Sequence, residues 1–227
     1  MALRGHATIQ GSTDIATLYD LLPGYLGQPH VQKPQETLDE YIRSETSPTG
    51  WWVNFPKYIV SLLKAWYGDK AQEANGYCYD HLPRISGDHS QLPMTMAIHD
   101  GEIKGFFLMG QNPAVGGHNA SFIRRGLASL DWMVVRDAYE TETASFWYAS
   151  PEAQRGELDP HRIKTEIFLL PAALPGEKEG SFTNTNRLVQ WHDKAVEPPG
   201  ESRSEPWFVY HLGRRLREMY AQDPEQD

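Results

Sequence analysis

Apolar and polar positions alternate along this chain in a few distinct rhythms. Within residues 51–67, Tyr58, Ile59, Leu62, Leu63 and Trp66 recur at helical spacing, and Pro56 suits a first turn. That stripe predicts a core-facing helix, ended by Gly68-Asp69. Ile103, Phe106, Phe107, Leu108 and Met109 make a short apolar run, long enough for a buried strand and short for a helix. Helical spacing returns over residues 121–130, with Phe122, Ile123, Leu127 and Leu130 inward. A second strand follows at 133–137 and a third at 165–170, closed by Pro171. Helices are also predicted over 92–99 and 206–220, the latter with Arg214, Arg215 and Arg217 outward. Strands separated by helices imply an α/β fold: a three-layer, mostly parallel sheet with flanking helices.

The remaining segments read as connections. Residues 14–22 suggest a short helix capped by Ser12 or Thr13 and stopped by Pro23-Gly24. Residues 28–50 read as a surface insertion holding one helix at 38–43, and 148–163 as a second surface insertion. Residues 71–91 look like loop, and 177–190 like turn chemistry rich in hydroxyls and amides. We find no internal repeat, and treat residues 1–227 as one α/β domain portion.

Composition narrows the function classes. Hydrophobic residues make up 40% of the chain, enough for a core, and seven tryptophans argue against disorder. A net charge of −9 argues against a nucleic-acid partner or direct membrane contact, while leaving room for one phosphorylated ligand in a local pocket. No segment reaches the ~18 apolar residues of a membrane span. The start lacks the apolar stretch of a signal peptide. Cys78 is the one cysteine, so this chain builds no disulfide framework, zinc site or iron–sulfur cluster. The nine histidines show no metal-binding spacing.

The candidate chemistry gathers at two strand ends. After Met109 come Gly110, Gln111, Asn112 and Pro113, then Gly116 and Gly117. In open α/β sheets, ligands bind at the carboxyl ends of strands, and backbone amides in a glycine turn suit a phosphate. The same turn also serves as a plain connection. The next strand closes on Arg136-Asp137. A carboxylate there can accept from a ribose or a guanine edge, or can cap a helix opening at Ala138 or Tyr139. Arg136 can stack on a base or pair with a phosphate. Thr141 and Thr143 can cap that helix or bond a phosphate. Near the N-terminus, the planar fork of Arg4 suits a carboxylate, and Gln10-Gly11 lies in a glycine-bearing loop before Asp14.

Six ordered blocks then resemble one family: residues 3–25, 58–71, 103–117, 130–147, 165–173 and 177–200. They are similar to the major, catalytic subunit of molybdenum- or tungsten-dependent formate dehydrogenases, across nearly the whole chain. The resemblance implies a portion of a larger molybdopterin oxidoreductase fold. It implies a Mo or W centre held by molybdopterin guanine dinucleotide, with formate oxidised to CO2 and a [4Fe–4S] cluster carrying electrons away. By this resemblance the Arg4-Gly5 pair positions formate and counts as catalytic. His6 and the Gln10, Gly11 and Asp14 block are assigned to the cofactor. So are Gly110, Gln111, Asn112, Pro113 and Gly116, then Arg136, Asp137 and Thr143.

Departures from the family pattern are equally specific. Its cluster cysteines and its metal-ligating selenocysteine or cysteine have no counterpart, and Cys78 matches neither role. The [4Fe–4S] cluster is thus expected in the complete subunit and not on this chain. The chain reads as an interior or split part, inactive alone. Expected partners are the remainder of the catalytic subunit and an iron–sulfur electron-transfer subunit. The compartment, periplasm or cytoplasm, is left open. Two other readings remain: a non-catalytic dinucleotide-binding module or fragment, and a related oxidoreductase acting on nitrate or another oxyanion.

Overall fold

A computed structural model describes residues 21–184 and 186–222. The chain divides into two compact units. The described part of the first covers residues 21–90, 182–184 and 186–190, and that of the second 91–181 and 191–222.

In the first unit, β1 (Leu21–Leu22) pairs antiparallel with β2 (Leu26–Gly27). The turn between them takes left-handed backbone at Gly24 and Tyr25. Pro23-Gly24 therefore turns a hairpin, where the sequence suggested a helix stop. Helix α1 (Leu38–Glu45) starts in a capping box: the Thr37 hydroxyl accepts from the Glu40 amide, and the Glu40 carboxylate accepts from the Thr37 amide. Helix α2 (Phe55–Tyr67) buries Ile59 and Leu63 of the predicted stripe, together with Phe55, while Tyr58 and Leu62 are half-buried and Trp66 is exposed. The core closes on Tyr41 and Tyr79, whose rings lie 5.4 Å apart. Burial raises the Tyr41 phenol, and pushes the Tyr79 phenol up to about 12. Tyr79 donates to the Gln35 carbonyl at 2.7 Å. Residues 28–50 thus contribute Gln35 and Tyr41 to the interior, where the sequence suggested a surface insertion. Residues 73–81 form 3-10 turns, broken by left-handed backbone at Gly76, Tyr77 and Cys78.

The second unit is built on a parallel sheet in the order β3 (Gly105–Met109), β4 (Trp132–Asp137), β5 (Glu166–Pro171). Phe107 aligns with Val134, and Val134 with Phe168. Alternation sends Phe106, Leu108, Met133, Val135 and Ile167 to one face. There they pack with α3 (Gln91–His99), α5 (Ala120–Leu127) and α6 (Glu142–Ala149). The other face meets α8 (Glu205–Gln222), whose Phe208 ring lies 6.5 Å from that of Phe107. Helices on both faces give the three layers that the pattern predicts. Two four-residue helices, α4 (Pro113–Gly116) and α7 (Pro151–Gln154), sit in the connections. Strands β6 (Gly180–Thr183) and β7 (Val189–His192) form a two-stranded sheet, where sequence suggested only turns. No described helix is long and apolar enough to cross a membrane.

Candidate functional site

The carboxyl ends of β3 and β4 lie side by side. Met109 is in register with Arg136, and the Gly110 amide donates to the Arg136 carbonyl at 3.0 Å. Gly110 has φ +64°, which an L side chain rarely adopts, and a Cβ there would face open space. Gly117 is needed for the opposite reason: a Cβ would fall 2.1 Å from Ile123 Cδ1. So one glycine bends the chain out of the strand, and the other seats the turn against α5. Between them, Gln111, Val115 and Gly116 are exposed.

Asn112 ties this turn to the next one. Its Oδ1 accepts from the Thr143 amide at 3.1 Å and from the Thr143 hydroxyl at 2.7 Å. Its Nδ2 donates to Glu142 at 2.6 Å. The Ala114 amide donates back to Thr143 Oγ1 at 3.2 Å. Asn112 therefore caps α6 from a neighbouring turn, a duty that its own N-cap residue Thr141 leaves undone. The Glu142 carboxyl is lowered, first by its own amide and then by Asn112. The Thr141 hydroxyl is buried with no hydrogen-bond partner among the described residues.

A second set of bonds holds the turn from behind. The Arg124 guanidinium meets Glu152 through two bonds, Nε to Oε2 at 2.6 Å and Nη2 to Oε1 at 2.8 Å. Its Nη1 donates to the Ala114 carbonyl at 2.5 Å. Glu152 is 1% exposed, and Arg124 draws its carboxyl down to about 2.

Some sequence-predicted residues converge here and others do not. Gly110, Gln111, Pro113, Gly116 and Asp137 share the edge formed by the two strand ends. Asp137 is half-buried and accepts from the Ala138 amide at 2.7 Å. It caps no helix, because α6 opens only at Glu142. Arg136 needs correction as a base or phosphate contact. Its side chain is 2% exposed and lies 5.1 Å from the centre of the Phe208 ring. It donates to the Arg203 carbonyl and sits 3.4 Å from Glu205. Burial opposes charge on Glu205, but Lys178 at 2.6 Å, its own amide and Arg136 together lower that carboxyl. Thr143 is corrected likewise: it is fully buried, its hydroxyl is used within the turn, and it faces no solvent. Arg4, Gly5, His6, Gln10, Gly11 and Asp14 lie outside the described residues. Sequence reasoning missed Arg124 and Glu152. They stand 28 positions apart, and no local spacing links them.

Comparison with known proteins shows what the chain is similar to. Residues 168–215 match the model of the molybdopterin oxidoreductases. Over those residues the chain is similar to the molybdopterin oxidoreductases. It is 40% identical, over 96% of its own length, to "Formate dehydrogenase 2 subunit alpha (cytochrome c-553)" of Nitratidesulfovibrio vulgaris. It is 36% identical over 98% to the nitrate-inducible formate dehydrogenase major subunit of Escherichia coli. Against the formate dehydrogenase subunit alpha of Megalodesulfovibrio gigas, identity is 40% over 98%. The chain spans 22% of the length of each of these curated relatives. The parallel sheet, the glycine turn and Asp137 all lie in the second unit.

Proposed function

We propose that this chain contributes one molybdopterin guanine dinucleotide-binding region, and the arginine that orients formate, to the catalytic subunit of a formate dehydrogenase. The observation that supports this most is the Gly110 amide on the Arg136 carbonyl, which makes the glycine turn and Asp137 neighbours at one sheet edge. The residues there fit a nucleotide. Gly110 and Gly116 leave open space where a Cβ would stand, so an anion can approach the backbone. The backbone N–H groups of Gln111 and Asn112 make no hydrogen bond among the described residues. The buried Thr141 hydroxyl awaits a partner that those residues do not supply. A free oxygen of Asp137 can accept from guanine or ribose.

When bound, the metal and its dithiolene ligands supply the redox chemistry. The protein's part is position and field. The role given to Arg4 is to orient formate, whose carboxylate the planar fork of an arginine suits. The chain's one cysteine, Cys78, is buried and lies 3.3 Å from the Lys70 carbonyl, so thiolates for an iron–sulfur cluster come from elsewhere. The chain alone is therefore inactive toward formate.

A formate-to-viologen assay tests this reading. The complete subunit turns over formate, the isolated chain does not, and Arg4→Ala in the complete subunit removes most turnover while leaving Mo or W content near normal. Turnover by the isolated chain contradicts the proposal, as does an Arg4→Ala enzyme of unchanged activity.

A further inference from the structure

The 150–157 stretch reads as inserted and polar, yet it delivers a carboxylate to the interior. Ser150 caps α7 by accepting from the Ala153 amide at 3.1 Å, which fixes the short helix that carries Glu152. The Glu152 side chain, 2% exposed, faces Arg124 at 2.6 Å and is approached by Arg155 at 3.8 Å. Arg124 projects from α5 and has one remaining arm, which reaches the Ala114 carbonyl. Ala114 is the second residue of α4, the short helix inside the glycine turn. Its amide is gripped by Thr143 and its carbonyl by Arg124. The turn is thus held at both polar groups of one fully buried residue.

We infer that Arg124 and Glu152 are positioning residues: Glu152 fixes the Arg124 guanidinium, and Arg124 fixes the 110–117 turn in the shape that receives a guanine nucleotide. This rests on the dinucleotide reading above. Neither side chain touches the ligand. Both act through the Ala114 carbonyl. An arginine is required, because a lysine cannot chelate both carboxylate oxygens and still reach a third acceptor. The pair also explains why a polar segment is kept beside the turn: it buttresses a binding loop on which it places no residue of its own.

The test uses the full chain, with guanosine 5′-diphosphate as the probe. Three variants are compared: Arg124→Lys, Glu152→Gln and the double Arg124→Met/Glu152→Leu. The double variant replaces the ion pair with apolar groups of similar size, a swap that often preserves folding, so it separates grip from stability. Titration measures affinity, hydrogen exchange reports the amides of 110–117 against those of β4, and melting reports the fold.

The expected result is a dissociation constant raised about tenfold in each variant, the size typical when a supporting partner of a binding group is removed. Exchange should quicken across the turn, and the double variant should melt near the unaltered chain. Affinity equal to the unaltered chain in a folded double variant overturns the proposal alone. Turn amides that exchange at the unaltered rate also overturn it. No probe binding by the unaltered chain overturns the dinucleotide reading, and this inference with it.

Discussion

A carboxylate with almost no solvent contact keeps its charge only when donors surround it. Glu152 meets that condition through Arg124, and its carboxyl falls from 4.5 to about 2. A depressed folded value means that the stabilisation is complete above the unfolded value and is lost as pH falls from about 4.5 toward 2. The loss is on the order of a few kcal/mol at most. We predict that Glu152→Gln lowers the denaturant midpoint strongly at pH 6, and that the gap to the unaltered chain narrows by pH 3. A gap that stays constant across that range would show that the charge of Glu152 is not what holds Arg124.

At the scale of elements, the join between α4 and α6 decides the shape of the edge. Asn112 Oδ1 accepts from both the amide and the hydroxyl of Thr143, 31 positions away. Thr143→Val keeps the volume but leaves the Ala114 amide buried without an acceptor, a loss of about 1–3 kcal/mol. Urea unfolding of that variant checks the figure, and an unchanged midpoint would mean that the strap carries no stability. The sheet and its helices were legible in the sequence because each is long enough to show its period. Val134 and Val135, apolar on both faces, announce a central strand. The hairpin of β1 and β2 was not legible: two residues per strand show no alternation, and Pro23-Gly24 ends a helix and turns a hairpin equally well. Residues 28–50 misled for a related reason. Their polar composition hides Leu38, Tyr41 and Ile42, a short stripe at helical spacing on α1 that packs into the core of the first unit.

The same division holds for the candidate edge. Backbone features were readable, since glycine after an apolar run has few other causes. Side-chain directions were not. Arg136 and Asp137 are adjacent in sequence, yet strand alternation sends one beneath α8 and leaves the other half-buried.

Across the whole chain, the proposed ligand lies between two strand ends rather than at another opening. The second unit offers an alternative: a cavity of about 350 Å³ beyond β5, lined by Lys178, Lys194, Glu197, Arg203 and Trp207 among others. Its cations are engaged, Lys178 with Glu205 and Lys194 with Glu197, and Arg203 lies 5.4 Å from the centre of the Trp207 ring. The edge of β3 and β4, by contrast, presents backbone amides with open space above them. The most direct measurement is an amide-protection footprint of the chain with guanosine 5′-diphosphate, run beside Gly110→Val. The account predicts protection across 110–117 and 138–143 in the unaltered chain and its loss in the variant. Protection confined to 173–207, or none at any nucleotide concentration, would contradict it.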